Sequence, residues 1–154
     1  MGKGRRDPCQ YVLKPHFCSG ISLTRGPANA TYNSIYRTAQ YLSNIPPYPT
    51  LAVLNLDFPL SHDQIIDLFR EQIRSLPPGK NRVAVIDSIV SNPGAILPWK
   101  QMVKICAEEG VLSVVDAAHS IGQEMDINLK EANPDFWVTV SYFLLFRVKK
   151  NREF

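Results

Sequence analysis

The sequence predicts an α/β fold with a mainly parallel sheet and flanking helices. Four short apolar runs have the composition of buried strands, and each begins 25–32 residues after the previous one begins. That spacing accommodates a strand, a crossover helix and the return to a parallel neighbour. The runs are continuously apolar rather than alternating, which is typical of strands covered on both faces. The predicted strands are residues 51–56, 83–87, 111–116 and 136–139.

The segment before the first strand divides into two parts. Residues 1–30 show no helical or strand period and contain glycine and proline throughout, so we predict a loop or disordered lead there. From residue 31, apolar side chains recur at steps of three and four residues and predict a short amphipathic helix. Prolines 46, 47 and 49 end that helix. Its apolar side chains are Tyr32, Ile35, Tyr36, Ala39 and Leu42.

Two more helices are predicted between the strands. Ser61 and Gln64 have the spacing of a capping box, so a helix should begin directly after Ser61. Pro98 suits the first turn of the next helix, and Gly110 suits its end. The earlier of these helices is predicted to bury a stripe formed by Ile65, Phe69, Ile73 and Leu76.

Composition narrows the class of protein. The chain has 154 residues, of which 45% are apolar and 20% charged, as in an ordinary globular domain. No apolar run approaches the roughly 20 residues that cross a bilayer, and no signal peptide is visible, so we expect no membrane association. Three cysteines without a CxxC pair disfavour a disulfide or zinc framework. A reducing, cytoplasmic location is therefore expected.

The net charge of +3 is unevenly distributed. Residues 31–139 contain eight Lys or Arg against twelve Asp or Glu, whereas the excess of positive charge lies in residues 1–30 and 140–154. A nucleic-acid-binding domain usually carries positive charge on the folded surface that meets phosphate. Because the predicted folded part is acidic, we expect no nucleic-acid partner.

Polar residues follow the second and third predicted strands. Ligands of open α/β sheets bind outside the carboxyl ends of the strands, which singles out Asp87, the turn at 91–94, Asp116 and His119. A carboxylate at a buried strand end needs a cationic or hydrogen-bonding partner, and a protonated pyridine nitrogen is one such partner. The alternative is that Asp116 only caps the following turn and His119 lies in a loop. Motifs for dinucleotide, P-loop and serine-hydrolase sites are absent.

Three segments resemble the class V aminotransferases, in particular the branch similar to isopenicillin-N epimerase and cysteine–sulfur lyases. They are VIDSIVSNPGAILP at 85–98, GVLSVVDAAHSIGQ at 110–123 and NPDFWVT at 133–139. The resemblance runs from about residue 31 to 139. It implies that residues 31–139 are part of the large domain of a fold-type-I enzyme dependent on pyridoxal 5′-phosphate (PLP), preceded by a non-matching basic lead (1–30) and followed by a non-matching basic tail (140–154).

The resemblance implies roles for three residues. Asp116 would hold the pyridine nitrogen of PLP protonated, which makes the ring an electron sink. His119 would lie near the phenolic oxygen of the ring, and Asn92 would approach the same edge of the cofactor. No metal site is implied. The implied reaction class is transamination, epimerisation or carbon–sulfur cleavage of an amino acid, in a protein that forms a homodimer or pairs with a full-length homologue.

One departure from the family pattern bears on catalysis. The family continues after the third segment with a lysine that forms a Schiff base with the cofactor, but Phe143 stands at that position here. A phenyl ring cannot perform that chemistry. Lys149 and Lys150 come six and seven residues later, which displaces them by roughly 20 Å along an extended chain. We therefore expect impaired catalysis, the alternative being a non-catalytic truncated paralogue that acts as an interaction fragment.

Overall fold

A computed structural model describes residues 20–25, 33–46, 48–76 and 82–140, the first of these ranges as backbone alone. Five parallel strands form one sheet in the order β2-β1-β3-β4-β5. This confirms the predicted fold class. The strands are β1 (Gly20–Arg25), β2 (Thr50–Asn55), β3 (Arg82–Asp87), β4 (Leu112–Asp116) and β5 (Phe136–Val138), and the helices are α1 (Asn33–Ser43), α2 (His62–Ser75), α3 (Trp99–Glu108) and α4 (Leu129–Ala132).

Strand β1 corrects the prediction for residues 1–30. We predicted a loop or disordered lead there, but Gly20–Arg25 pairs with both β2 and β3 inside the sheet. The prediction was wrong at these six residues because Gly20 at the start of the segment and Gly26 and Pro27 directly after it signal turns more strongly than so short a segment signals a strand. The rest of the lead lies outside the described residues.

Helices lie on both faces of the sheet. Strand β3 alternates, placing Ala84 and Ile86 in the main core and Val85 beside Ala39 of α1 on the other face. The main core also receives the predicted stripe of α2. Residues of this core with at most 1% exposure include Leu56, Ile65, Phe69, Ile73, Ile86, Leu97, Met102 and Val115. Burial of this apolar surface is the main stabilising contribution to the fold.

The predicted boundaries of α2 and α3 are confirmed. Ser61 caps α2, because its side chain accepts a hydrogen bond from the Gln64 N–H while the Gln64 side chain accepts one from the Ser61 N–H. Pro98 precedes the first residue of α3. Gly110 has φ +64°, a left-handed conformation that suits glycine after the end of a helix. The short helix α4 was not predicted, and its cap is the Asn128 side chain, which accepts from the Glu131 N–H.

Within the described part of the chain, no helix is long and apolar enough to cross a membrane.

The thiol of Cys106 is expected to resist alkylation in the folded protein. Burial raises its pKa to about 12, and the nearby charge of Asp135 adds to that effect while Arg82 opposes it. Because only the thiolate is nucleophilic, iodoacetamide at pH 8 should leave Cys106 unmodified, and urea should expose it to reaction. Peptide mass spectrometry checks this. Modification of Cys106 at equal rates with and without urea would contradict it.

Candidate functional site

A cavity of about 340 Å³ lies at the carboxyl ends of β3, β4 and β5. The parallel register places Asp87 of β3 directly beside Asp116 of β4, and Asp116 beside Val138 of β5. The volume falls within the range of about 300–1,000 Å³ that is typical of small-molecule sites. The wall consists of Ile35, Asp87, Ile89, Ser91, Asp116, Ala118, His119, Val138, Thr139 and Val140.

Asp116 is the last residue of β4 and lies in the cavity wall. Its Oδ1 atom accepts a hydrogen bond of 3.1 Å from the Ala118 N–H, so the carboxylate caps the turn that leaves the strand. Over the described ranges, Oδ2 of Asp116 accepts no further hydrogen bond. The carboxylate therefore both organises the turn and retains an oxygen that can accept a proton-bearing group of a ligand.

His119 lies in the same wall as Asp116, three residues along the turn. Asn92 is exposed and is not part of that wall, although its neighbour Ser91 is. The structure thus brings together two of the three residues that the sequence singled out and places the third next to the cavity. The specific role of each toward a cofactor stays a prediction. Phe143 lies outside the described residues.

Several wall residues were not predicted from the sequence. Ile35 comes from α1, and Val138 and Thr139 come from the end of β5. The hydroxyl of Thr139 donates a hydrogen bond of 2.9 Å to the Ala117 carbonyl oxygen, which ties β5 to the turn after Asp116. The rule that ligands bind at carboxyl ends of strands applies equally to the fourth strand, and it would have found Thr139.

The charges in the cavity wall favour a cationic or proton-bearing ligand group. Asp87 is 6% exposed and lies beside Asp116 on the neighbouring strand. Among the described residues of the wall there is no lysine or arginine. A positive charge nearby stabilises the ionised form of two adjacent, partly buried carboxylates. A protonated ring nitrogen therefore suits the position beside Asp87 and Asp116 better than an anionic group does.

A larger cavity, of about 480 Å³, lies where α2 and α3 begin and does not include Asp116 or His119. Glu124 is part of its wall and accepts hydrogen bonds from the Trp99 indole N–H at 3.1 Å to each carboxylate oxygen. Burial raises the pKa of Glu124 above its ordinary value of 4.5, against the opposing effects of Trp99, Lys100 and Ser120. This larger cavity lacks the strand-end carboxylates of the smaller one, which is therefore the candidate site.

The raised pKa of Glu124 predicts a stability change with pH. Between 4.5 and the higher pKa of the folded state, the folded protein binds more protons than the unfolded protein, so this residue lowers stability as pH rises. As the pH rises from 4.5 to 7, the free energy of unfolding of Glu124→Gln should therefore increase relative to that of the wild type. Urea unfolding at both pH values measures the difference. The exposed residue Glu108 of α3 provides the control variant Glu108→Gln, and an identical pH response of both variants would contradict the assignment.

Comparison with known proteins shows which sequences and structures this chain resembles. Residues 28–142 match the family described as Aminotransferase class-V. The L-cysteine desulfhydrase-like protein lolT1 of Epichloe uncinata is 30% identical over 120 residues, covering 77% of this chain and 26% of that protein. A probable chloroplastic L-cysteine desulfhydrase of Arabidopsis thaliana is 44% identical over 90 residues, covering 56% and 19%.

The fold also matches a solved structure. The cysteine desulfurase CsdA from Escherichia coli superposes with a TM-score of 0.65 at 14% identity, covering 84% of this chain and 30% of that one. The chain thus spans only about a fifth to a quarter of the length of the two curated relatives. The family match nevertheless extends over well over half of this sequence. The chain belongs to the class-V aminotransferase family.

Proposed function

We propose that the cavity at the ends of β3, β4 and β5 binds PLP, the cofactor of this family, and that the chain derives from its carbon–sulfur lyase branch. The observation that carries the proposal is the meeting of Asp116 and His119 in one cavity wall. The two curated relatives are named for cysteine desulfhydrase activity, which favours L-cysteine over other amino acids as the substrate class.

The described residues fit the ring of the cofactor. Asp116 has an oxygen with no hydrogen-bond partner among the described residues, and it is placed to hold a proton on the pyridine nitrogen. His119 has ring nitrogens that can bond an oxygen on the same ring. When bound, PLP supplies an electron-withdrawing ring that draws electrons from the α-carbon of an amino acid. The part of the wall that the structure describes offers no cationic side chain for the phosphate.

The other wall residues contact and orient the ring. Ile35, Val138 and Val140 provide apolar surface. Thr139 fixes the backbone at Ala117 and so supports the position of the Asp116 turn.

We further propose that this chain binds PLP without performing the complete lyase reaction. By the family resemblance, the covalent link to the cofactor requires a lysine at the position where Phe143 stands. A phenyl ring can neither form that link nor move a proton at the α-carbon. This proposal rests on the sequence at position 143, which lies outside the described residues.

Titration of the purified protein with PLP, followed by borohydride reduction and intact-mass measurement, tests both parts. We expect saturable binding by ultrafiltration, no covalent PLP adduct after reduction, and no release of sulfide from L-cysteine. Absence of saturable binding would contradict the cofactor proposal. A stoichiometric adduct on a lysine, together with sulfide release, would contradict the proposed loss of catalysis.

A second candidate function is a non-catalytic interaction domain. Strand β5 is an edge of the described sheet and presents Phe136 and Val138 with 51% and 55% exposure, and Val140, two residues after the strand, is 41% exposed. Exposed apolar side chains on an edge strand favour pairing with another chain, here a second class V aminotransferase subunit. Light scattering after gel filtration would show a dimer that Phe136→Lys disrupts. A wild-type monomer at all concentrations would reject self-association.

A further inference from the structure

Two buried serine hydroxyls lie directly behind the cavity wall. Ser88 follows β3 and Ser120 follows His119, and both are 0% exposed. Their Oγ atoms form a hydrogen bond to each other across 32 residues of sequence. Buried hydroxyls without partners are costly, so a pair of this kind holds two segments in one relative position.

Ser88 also binds the end of β4. Its N–H donates to the Asp116 carbonyl oxygen at 2.9 Å, and its hydroxyl lies 3.3 Å from the same oxygen. Each serine hydroxyl has one proton to donate. The Ser120 hydroxyl also lies 3.5 Å from Glu124 Oε1. Both hydroxyls are satisfied when Ser88 donates to Ser120 and Ser120 donates to Glu124, while the Ser88 N–H holds the Asp116 carbonyl oxygen. The backbone of Asp116 is thereby connected to the side chain of Ser120.

The backbone around Ser120 is held at both ends. The Ser120 N–H donates to the Ala117 carbonyl oxygen at 3.0 Å, and the Glu124 N–H donates to the Ser120 carbonyl oxygen at 2.9 Å. His119 lies between Ala118 and Ser120, so its position depends on how this turn is fixed. Between His119 and Gly122, only the side chain of Ser120 is fully buried, with 0% exposure. This side chain therefore anchors the turn to the protein interior.

We propose that Ser88 and Ser120 are positioning residues that hold Asp116 and His119 at the spacing the ligand requires. Neither serine belongs to the cavity wall, so their effect acts through the turn and not through contact with a ligand. For cofactor binding this inference rests on the proposed function. Its effect on the position of His119 does not depend on PLP and can be measured without it.

The test compares Ser120→Ala with Ser113→Ala. Ser113 is a matched control because it is also a buried serine of this sheet, at 1% exposure, but its hydroxyl bonds Asp135 at 2.9 Å, away from the turn. Two readouts are needed, namely the NMR signals of the His119 ring and Asp116 amide without ligand, and the dissociation constant for PLP. Ser120→Ala should shift those signals and weaken PLP binding about tenfold, which equals about 1.4 kcal/mol.

Ser113→Ala should lower the stability of the fold and leave both readouts unchanged. If Ser120→Ala unfolds the chain, the double variant Ser88→Ala/Ser120→Ala removes both hydroxyls and leaves neither unpaired, and it is measured in place of the single variant. Unshifted His119 and Asp116 signals in the folded variant would overturn the inference. If the wild type binds no PLP, the proposed function fails, and the NMR comparison still decides whether the serines position the turn.

Discussion

Replacing Asp116 by asparagine is expected to weaken PLP binding by about 10- to 100-fold, the factor that corresponds to losing a hydrogen bond to a charged group worth about 1.5–3 kcal/mol. The asparagine side-chain oxygen can still accept the hydrogen bond from the Ala118 N–H, which is 3.1 Å from Asp116 Oδ1 in the wild type. The turn should therefore persist. What is lost is the negative charge that stabilises a proton on the pyridine nitrogen.

The matched control for this prediction is Asp126→Asn. Asp126 is a carboxylate in the wall of the larger cavity, its side chain is 85% exposed, and it pairs with Lys100. Exposed pairs of this kind contribute little, so the variant should bind PLP as the wild type does. Equilibrium dialysis gives both dissociation constants. Equal affinities for Asp116→Asn and the wild type would remove Asp116 from the proposed cofactor site.

The strands that the sequence predicted are those whose apolar pattern is local. Residues 83–87 and 111–116 are continuous apolar runs, and the structure places β3 and β4 there to within one residue at each end. The cap of α2 was predictable for the same reason, because Ser61 and Gln64 interact over three residues. In these elements local propensity and burial favour the same structure.

Strand β1 could not be predicted because its stability is not local. Gly20–Arg25 is a strand by virtue of pairing with Thr50–Asn55 on one side and with Arg82–Asp87 on the other. Its partners are about 30 and 60 residues further along the chain. Ile21 and Leu23 do alternate with Ser22 and Thr24, but an alternation over four residues is too short to establish a strand without those partners.

The residues of the candidate site also differ in whether local sequence predicts them. Asp116 and His119 were found from the sequence because a strand end and a family motif coincide there. Ile35 reaches the cavity from α1, and Ser88 meets Ser120 from a different strand end. Those placements depend on the parallel register of β3 and β4, which sets Asp87 beside Asp116 and which no single segment of sequence encodes.

The register that builds the site depends in turn on the core beneath it. Asp87, Asp116 and Val138 align only while α2 and α3 remain packed on the face of the sheet that contains Ala84 and Ile86. Loss of that packing would separate the carboxylates without altering any residue of the cavity wall. A core variant is therefore expected to lose cofactor binding together with its fold, whereas Asp116→Asn should lose binding alone.

Phe69→Ala tests that dependence and should destabilise the fold by about 3–5 kcal/mol, the range for removing a buried phenyl ring and leaving a cavity. Phe69 is 1% exposed and belongs to the main core, whereas its neighbour Leu68 on the same helix is 37% exposed. Leu68→Ala is thus the matched control, with an expected change of about 0.5 kcal/mol or less. Urea unfolding followed by circular dichroism measures both. Because domains of this size are stable by only about 5–15 kcal/mol, the loss is a large fraction of the total and should lower the urea midpoint of Phe69→Ala well below that of Leu68→Ala. Equal midpoints for the two variants would contradict the core described above.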